Sequence, residues 1–234
     1  MHPLERILNT AKSNPLRIVL PEATDERMLE AARRAPDEKT ATVLLLGTPG
    51  EIEKVAAAKS VSLDGIRIVD IHAHPHREEW IAYFAEKRKS KGLTLEQARE
   101  TLADPLFFGA MMVHQGEADG MVAGAVNTTG NVIRASLQII GVQPGIKTAS
   151  SCFMMIVPDC PYGAEGTFMY GDCGVMPDPN EEQLADIAYA TAQSMQNLVG
   201  VEPVVAMLAF FTYGSASHPI VDKVIKATKI AKER

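Results

Sequence analysis

Thr128, Thr129 and Gly130 follow a run of small apolar residues, 121–126, and stand directly before a stretch with helical spacing. Such a run predicts a buried strand of a parallel sheet, and ligands bind at the carboxyl ends of these strands. The turn into a helix presents unpaired backbone N–H groups, and the helix dipole favours an anion there. Gly130 lets the backbone approach a ligand closely. The pattern therefore predicts a site for a phosphate or carboxylate.

Arg134 supports this prediction, because it lies only ~7 Å along the helix axis from Thr129 and helical side chains lean back towards the N-terminus. Asn127 shares a polar helix face with Arg134, so its side chain belongs to the same candidate site. The alternative is that Thr129 only caps the helix and that Arg134 is a solvated surface residue. The spacing alone leaves both interpretations open.

A second turn has a similar composition. The apolar run 204–210 predicts a strand that leads into Thr212, Gly214 and Ser215, ahead of a helix capped by Ser217. Two such turns favour either one bound anion or two anionic groups of a larger ligand. A glycine-containing turn with a serine cap is the alternative, and it is about as common.

Arg88 continues an apolar helix stripe formed by Trp80, Ile81 and Phe84. A guanidinium at the end of a buried face usually has an anionic partner, and its planar fork suits phosphate. The alternative is that the side chain extends to solvent along the apolar surface.

The segment 72–76 (HAHPH) has the H-x-H spacing of some metal sites, but no other histidine or carboxylate completes a ligand set. We predict no metal site. The three cysteines are odd in number and lack C-x-x-C spacing, so neither a disulfide framework nor a zinc site is expected.

Strands alternate with helices along the chain, which predicts an α/β protein with parallel or mixed sheets flanked by helices. We predict that Pro36 ends the first helix of this alternation, that Thr94 and Gln97 form a capping box, and that Asp178 caps a helix ending at Gly200. Predicted strands cover 17–20, 41–46, 66–71, a run ending at 126, 148–157, 167–170 and 204–210. Predicted helices cover about 24–34, 51–59, 77–91, a segment from 94 broken at Pro105, 129–140, 181–198 and 217 onwards.

Glycine and proline interrupt the pattern at 141–145 (GVQPG), so we divide the chain into a first domain, 1–143, and a second, 144–234. Net charge of −6 argues against a nucleic-acid surface. No apolar run reaches the ~20 residues that span a bilayer, and the N-terminus has no signal-peptide pattern, so a cytoplasmic protein without a membrane partner is expected.

Several longer motifs resemble the phosphate acetyltransferase (phosphotransacetylase) family, in order and over essentially the whole chain. They are 17–22 (RIVLPE) with 24–27 (TDER), 118–125 (ADGMVAGA), 137–140 (LQII), 158–163 (PDCPYG) and 206–208 (AML) with 214–216 (GSA). The resemblance implies reversible transfer of an acetyl group between acetyl phosphate and coenzyme A. Coenzyme A is then a substrate, no cofactor is permanently bound, and both partners are small molecules.

The resemblance also implies a two-domain fold similar to the isocitrate and isopropylmalate dehydrogenases, a site in the cleft between domains, and a homodimer. It assigns Arg88 and Arg134 to binding of anionic substrates and places Cys160 near the site, where it is not the nucleophile. The loop 209–214 reads AFFTYG where relatives have S-x-S-T-K-G, which removes two hydroxyls and a lysine from the turn holding Thr212.

A coenzyme A thiol, with a pKa near ~8.5, needs a base or a charge-stabilising neighbour before it attacks the acetyl carbonyl. The family's base is an aspartate in an N-D-L-S-R-G segment, which this sequence does not contain. We therefore expect a C-terminally truncated chain with an incomplete second domain, part of the substrate site, no identified catalytic residue, and impaired or no turnover.

Three alternatives differ in class or substrate. The first is a phosphate butyryltransferase. The second is a non-catalytic module that senses acetyl-coenzyme A, as a similar domain does when fused to some malic enzymes. The third is a dehydrogenase of the similar fold, which the missing G-x-G-x-x-G argues against.

Overall fold

The computed structural model of the protein describes residues 3–210, 212, 214 and 217–234. The chain divides into two compact units, one formed by residues 8–141 and the other by the N-terminal residues through Ile7 together with 142–234. The first helix, α1 (Pro3–Ser13), contributes residues to both. Across the described residues, no helix combines the length and apolar character needed to cross a bilayer.

The 8–141 unit is built on a four-stranded sheet whose paired strands all run parallel. Its strand order is β3-β2-β1-β4. The strands are β1 (Leu16–Leu20), β2 (Ala41–Leu46), β3 (Arg67–Val69) and β4 (Gly120–Met121). The predicted α/β architecture is confirmed.

Six helices accompany this sheet. They are α2 (Glu26–Asp37), α3 (Pro49–Ala58), α4 (Arg77–Lys87), α5 (Leu95–Thr101), α6 (Pro105–His114) and α7 (Thr129–Ile139). Alternate residues of β2 enter two separate cores. Leu44 and Leu46 pack with residues of α4 to α7, while Val43 and Leu45 pack with residues of α2 and α3. Because both faces are covered, the strand reads as a continuous apolar run.

Two predicted helix ends in this unit are wrong. The α2 helix continues through Pro36 to Asp37, since a proline this close to the end removes only one hydrogen bond of the last turn. The α4 helix stops at Lys87 instead of residue 91, and a short 3₁₀ turn, Lys89–Lys91, follows it. Thr94 and Gln97 do form the predicted capping box of α5.

The predicted strand ending at residue 126 is also wrong, because β4 ends at Met121. The backbone N–H groups of residues 124–127 point at the carboxylate of Glu22 and not at a neighbouring strand. Hydrogen bonds to one side chain have replaced the ladder.

The other unit contains an antiparallel pair, β5 (Cys152–Ile156) and β6 (Thr167–Gly171), and two helices, α8 (Glu181–Val199) and α9 (Pro219–Lys232). The cap of α8 is Asn180, in a capping box with Gln183, and not the predicted Asp178. Gly200, with φ +79°, ends α8 as predicted. The cap of α9 is His218, whose Nδ1 accepts from the N–H of Ile220, and not Ser217.

The predicted strand 204–210 is wrong. These residues form no strand, and Val204 and Leu208 expose 97% and 77% of their surface. A strand requires a neighbour for its N–H and C=O groups, and among the described residues none pairs with this segment. Residues 201–208 instead form one wall of an apolar groove of about 870 Å³, whose other walls are β6 and one face of α8.

Candidate functional site

The sheet of the 8–141 unit changes direction between β1 and β4. The chain proceeds outward from β1 through β2 to β3, and then returns to the other side of β1 as β4. In open parallel sheets, ligands bind at the carboxyl ends of the strands at such a switch point. Two polar segments leave the sheet there: residue 22 just after β1, and residues 127–130 after β4.

The turn 127–130, which we call the anion turn, starts α7. Thr128 is the N-cap, and its Oγ1 accepts from the N–H of Asn131 at 3.3 Å. The capping residue is thus Thr128 and not Thr129. Within the described chain, no hydrogen bond forms to the N–H groups of Thr129 and Gly130. These two donors at the positive end of a helix can bind an anion.

Space around Gly130 is open. A Cβ added there would meet only the Oγ1 of Thr128, at 4.0 Å. Both Thr128 and Thr129 are exposed, so their hydroxyls are accessible to a ligand at the turn. The position suits a group that approaches the backbone closely.

Arg134 lies on the same helix, and its guanidinium donates to the side-chain Oδ1 of Asn131. The residue is exposed, and within the described residues its guanidinium has no carboxylate within ion-pair distance. Asn131 directly follows the anion turn and donates its N–H to Oγ1 of Thr128. The guanidinium is therefore directed back towards the start of α7 with its positive charge uncompensated.

Asn127 has a hydrogen-bond partner within the protein. Its N–H and its side-chain Nδ2 donate to Oε1 of Glu22, at 2.6 and 3.0 Å. The side chain is thereby held inside the protein at the base of the turn. The sequence did not identify Glu22 as this partner, and a substrate-binding role for Asn127 stays a prediction.

Arg88 is the C-cap of α4 and is half-buried. Its neighbour Lys87 donates to the carbonyl of Ile139, at the last residue of α7. Ile139 lies ten residues beyond Thr129, which is about 15 Å along a helix axis. The side chain of Lys87 thus reaches the end of α7 that is remote from the anion turn. No described carboxylate pairs with the guanidinium of Arg88.

In the 142–234 unit, Cys160 is half-buried in the loop between β5 and β6. Thr212 is exposed, and Ser215 lies outside the described residues. Sequence reasoning missed a third feature of this unit, Asp172. Its carboxylate accepts from the Oγ of Ser151 at 2.7 Å and from the N–H groups of Val175 and Met176 at 2.8 and 2.6 Å.

Burial opposes the ionisation of Asp172, but the hydrogen bonds from Met176 and Ser151 outweigh it and hold the pKa of this carboxyl well below its usual range. Cys173 donates from Sγ to the Oγ of Ser151 at 3.2 Å. A polar residue directly after an apolar strand, as Asp172 is after β6, was the signal available in the sequence.

His74 has a structural explanation. Its ring lies 4.6 Å from that of Trp80 and 5.2 Å from that of Phe108, and its Nε2 is 3.1 Å from Oε2 of Glu117. Across the described residues there is no group of three side chains placed to hold a metal ion.

Residues 3–234 match the family model described as "Phosphate acetyl/butaryl transferase". The chain belongs to this family. Within it, the chain is 48% identical over 231 residues to the phosphate acetyltransferase of Acetivibrio thermocellus, covering 99% of this chain and 69% of the relative. It is 45% identical to the phosphate acetyltransferase of Thermoanaerobacterium thermosaccharolyticum over 232 residues, 99% of this chain and 70% of the relative.

Solved structures agree. A phosphotransacetylase from Streptococcus pyogenes superposes with a TM-score of 0.90 at 33% identity, over 99% of this chain and 68% of that one. The EutD phosphotransacetylase from Staphylococcus aureus gives a TM-score of 0.85 at 35% identity, over 98% of this chain and 68% of that one. The resemblance found in the motifs is confirmed.

Proposed function

We propose that this chain is a phosphate acetyltransferase, which transfers an acetyl group reversibly between acetyl phosphate and coenzyme A. The relatives named above carry this activity in their names. The observation that supports a particular place for the substrate is the anion turn at the switch point of the sheet. It has two N–H donors without partners among the described residues, and the guanidinium of Arg134 lies on the same helix and donates to Asn131 in its first turn.

The main requirement of this reaction is positive charge close to the phosphate that leaves. The thiolate of coenzyme A attacks the acetyl carbon of acetyl phosphate. The bond between this carbon and the bridging oxygen breaks, and phosphate leaves with that oxygen and the electron pair. Cationic and N–H donors aimed at the phosphate oxygens stabilise this departure. The N–H groups of Thr129 and Gly130 and the guanidinium of Arg134 supply donors of this kind.

We propose that Arg88 binds a second anionic group of the same substrate, away from the anion turn. Coenzyme A carries several phosphate groups along an extended chain, so its anionic groups can be held at separate points. Arg88 is a half-buried arginine with no carboxylate partner among the described residues, and its neighbour Lys87 reaches the far end of α7. Such an arginine suits a second of these groups. We also propose that Cys160 and Thr212 contribute to substrate binding, because the PDCPYG motif contains Cys160 and the loop of Thr212 matches the family's hydroxyl-rich loop in position. Ser215, the other predicted residue of that loop, lies outside the described residues.

Binding of coenzyme A to the purified chain tests the assignment. Isothermal titration should show a complex with the wild type, and Arg134→Ala should weaken it about tenfold or more, because a charge-assisted bond to phosphate is lost. Arg34→Ala is the matched control, since Arg34 is an exposed arginine paired with Glu38 on α2. Its affinity should equal that of the wild type. A folded wild-type chain that binds neither coenzyme A nor acetyl phosphate would overturn the proposal.

The family description also includes butyryl transfer. Competition between acetyl phosphate and butyryl phosphate for the chain separates the two. Tighter binding of acetyl phosphate supports the assignment, and tighter binding of butyryl phosphate replaces it.

Turnover is a second readout, measured as thioester formed from acetyl phosphate and coenzyme A, and we expect it to be impaired or absent because the sequence contains no N-D-L-S-R-G segment. We further propose that the protein acts as a homodimer in the cytoplasm, which light scattering of the purified chain and cell fractionation will test.

A further inference from the structure

The carboxylate of Glu22 is buried, with 7% of the residue exposed, although no cation pairs with it among the described residues. It is surrounded by donors of a single loop. Oε2 accepts from the N–H groups of Gly124 and Ala125 at 2.9 and 2.7 Å, and Oε1 accepts from those of Val126 and Asn127 at 3.0 and 2.6 Å. The Nδ2 of Asn127 adds a fifth bond.

These bonds determine the path of the chain between β4 and α7. Four successive N–H groups that point to one place need an acceptor, because buried backbone donors are rarely left unpaired. Glu22 leaves the sheet beside them, since Val19 of β1 pairs with Met121 of β4. The loop is held from outside as well, where the guanidinium of Arg27 donates to the carbonyl of Ala125.

The same bonds limit where a substrate anion can bind. Burial opposes the ionisation of Glu22, but the N–H groups of Asn127, Val126 and Ala125 outweigh it, and the pKa of Glu22 stays below its ordinary value. The N–H groups of 124–127 therefore already hold a negative charge of the protein. A phosphate must bind beyond them, at Thr129 and Gly130.

We propose that Glu22 is a positioning residue for the anion turn: its carboxylate occupies the N–H groups of residues 124–127 and so aligns 127–130 with Arg134 for the substrate phosphate. This proposal rests on the proposed function of the anion turn. Glu22 itself does not touch the substrate.

Replacement of the carboxylate tests the proposal. In Glu22→Gln the amide NH₂ faces backbone donors, and in Glu22→Ala the site is empty, so both should weaken coenzyme A binding about tenfold or more, as misplacement of about 1 Å does. Titrations are made well below the melting midpoint of each variant. Asp119→Asn is the matched control, because Asp119 anchors the other end of β4 through Arg17. It should lower the melting midpoint without changing the affinity.

Recovery of coenzyme A affinity by formate distinguishes a positioning role of Glu22 from general destabilisation of the protein. It can occupy the empty position in Glu22→Ala and should restore part of the coenzyme A affinity, while it should not improve Asp119→Asn. Glu22→Ala with wild-type affinity, or an affinity loss equal to that of Asp119→Asn, would refute the positioning role. If instead Arg134→Ala binds coenzyme A like the wild type, the proposed function of the turn fails and not the role of Glu22 alone.

If the variants do not fold, amide chemical shifts of the wild type still test the proposal. Titration with inorganic phosphate should move the signals of Thr129 and Gly130 and leave those of 124–127 in place. Larger shifts at 124–127 would show that phosphate competes for the donors assigned to Glu22, and would overturn the proposal.

Discussion

Thr128 contributes to stability as well as to the candidate site, because its hydroxyl caps α7. We expect Thr128→Ala to lower the free energy of unfolding by about 1 kcal/mol, since the N–H of Asn131 loses its acceptor. Denaturant titration measures this. Thr128→Ser keeps the acceptor and serves as the control, and a Ser variant as unstable as the Ala variant would contradict the capping role.

Asp119 makes the free energy of unfolding depend on pH in the acid range. The side chain and N–H of Arg17 hold the pKa of Asp119 at about 2, below its ordinary value of 3.8. A carboxylate whose pKa is lowered by folding stabilises the protein fully above its unfolded pKa, and this contribution disappears as the pH falls through the folded pKa. We therefore expect the free energy of unfolding to fall between about pH 4 and pH 2.

The control for this pH dependence is Asp119→Asn, in which the contribution of this group is absent at every pH. Denaturant midpoints at several values in that interval should decline less steeply than those of the wild type. Equal slopes would show that other carboxylates, Glu22 and Asp172 among them, account for the whole effect.

Residue types and local spacing identified the anion turn and Arg134, but not Glu22 or Asp172. The donors to Glu22 lie more than 100 residues away along the chain, and those to Asp172 include Ser151, 21 residues earlier and just before β5. No local pattern records such partners. A polar residue directly after a buried strand was the available sign, and RIVLPE contains one.

Gly109 shows how closely α6 packs on the sheet. A Cβ at this position would lie 2.9 Å from Sδ of Met121, 3.0 Å from Cγ1 of Val19 and 3.2 Å from Cδ1 of Leu46. We expect Gly109→Ala to destabilise the protein by about 1–3 kcal/mol through overpacking, despite the better helix propensity of alanine. Thermal and denaturant unfolding measure the effect.

Gly50 provides the comparison for this substitution. It lies in the first turn of α3 with nothing within 4 Å of an added Cβ. Gly50→Ala should leave stability unchanged or raise it by up to about 1 kcal/mol. Similar losses in both variants would show that α6 is not in close contact with the sheet.

Elements were predictable where a short-range signal specified them. The capping box at Thr94 and the glycine stop at Gly200 depend on neighbours within one turn, and both are confirmed. The end of β4 depends on Glu22, and the state of 204–210 depends on whether another strand lies beside it. Hydrophobicity alone cannot supply either of these long-range conditions.

The two compact units differ in how much apolar surface they bury. Both core clusters lie within the 8–141 unit. In the described part of the other unit the buried apolar residues are few: Ile146, Ala185, Ile187, Ala188, Val221 and Ala227. Because local opening is easiest where few apolar contacts oppose it, we expect the 142–234 unit to open first.

Hydrogen exchange followed by mass spectrometry will measure this difference. Peptides from β1 and β2 should exchange slowest, and those covering β5, β6 and 201–210 fastest. Leu46→Ala, which empties part of a core and costs about 2–5 kcal/mol, should speed exchange in the 8–141 unit. Slowest exchange in β5 and β6 would contradict the expected order.

The exposed apolar segment that forms one wall of the groove has a practical consequence at the bench. Val204 and Leu208 keep most of their surface in contact with water, and exposed apolar segments of this kind associate with other chains. Concentrated solutions of the purified protein should therefore precipitate on storage, and sooner in ammonium sulfate than in dilute buffer. Leu208→Lys should delay this precipitation, which turbidity of stored samples will measure.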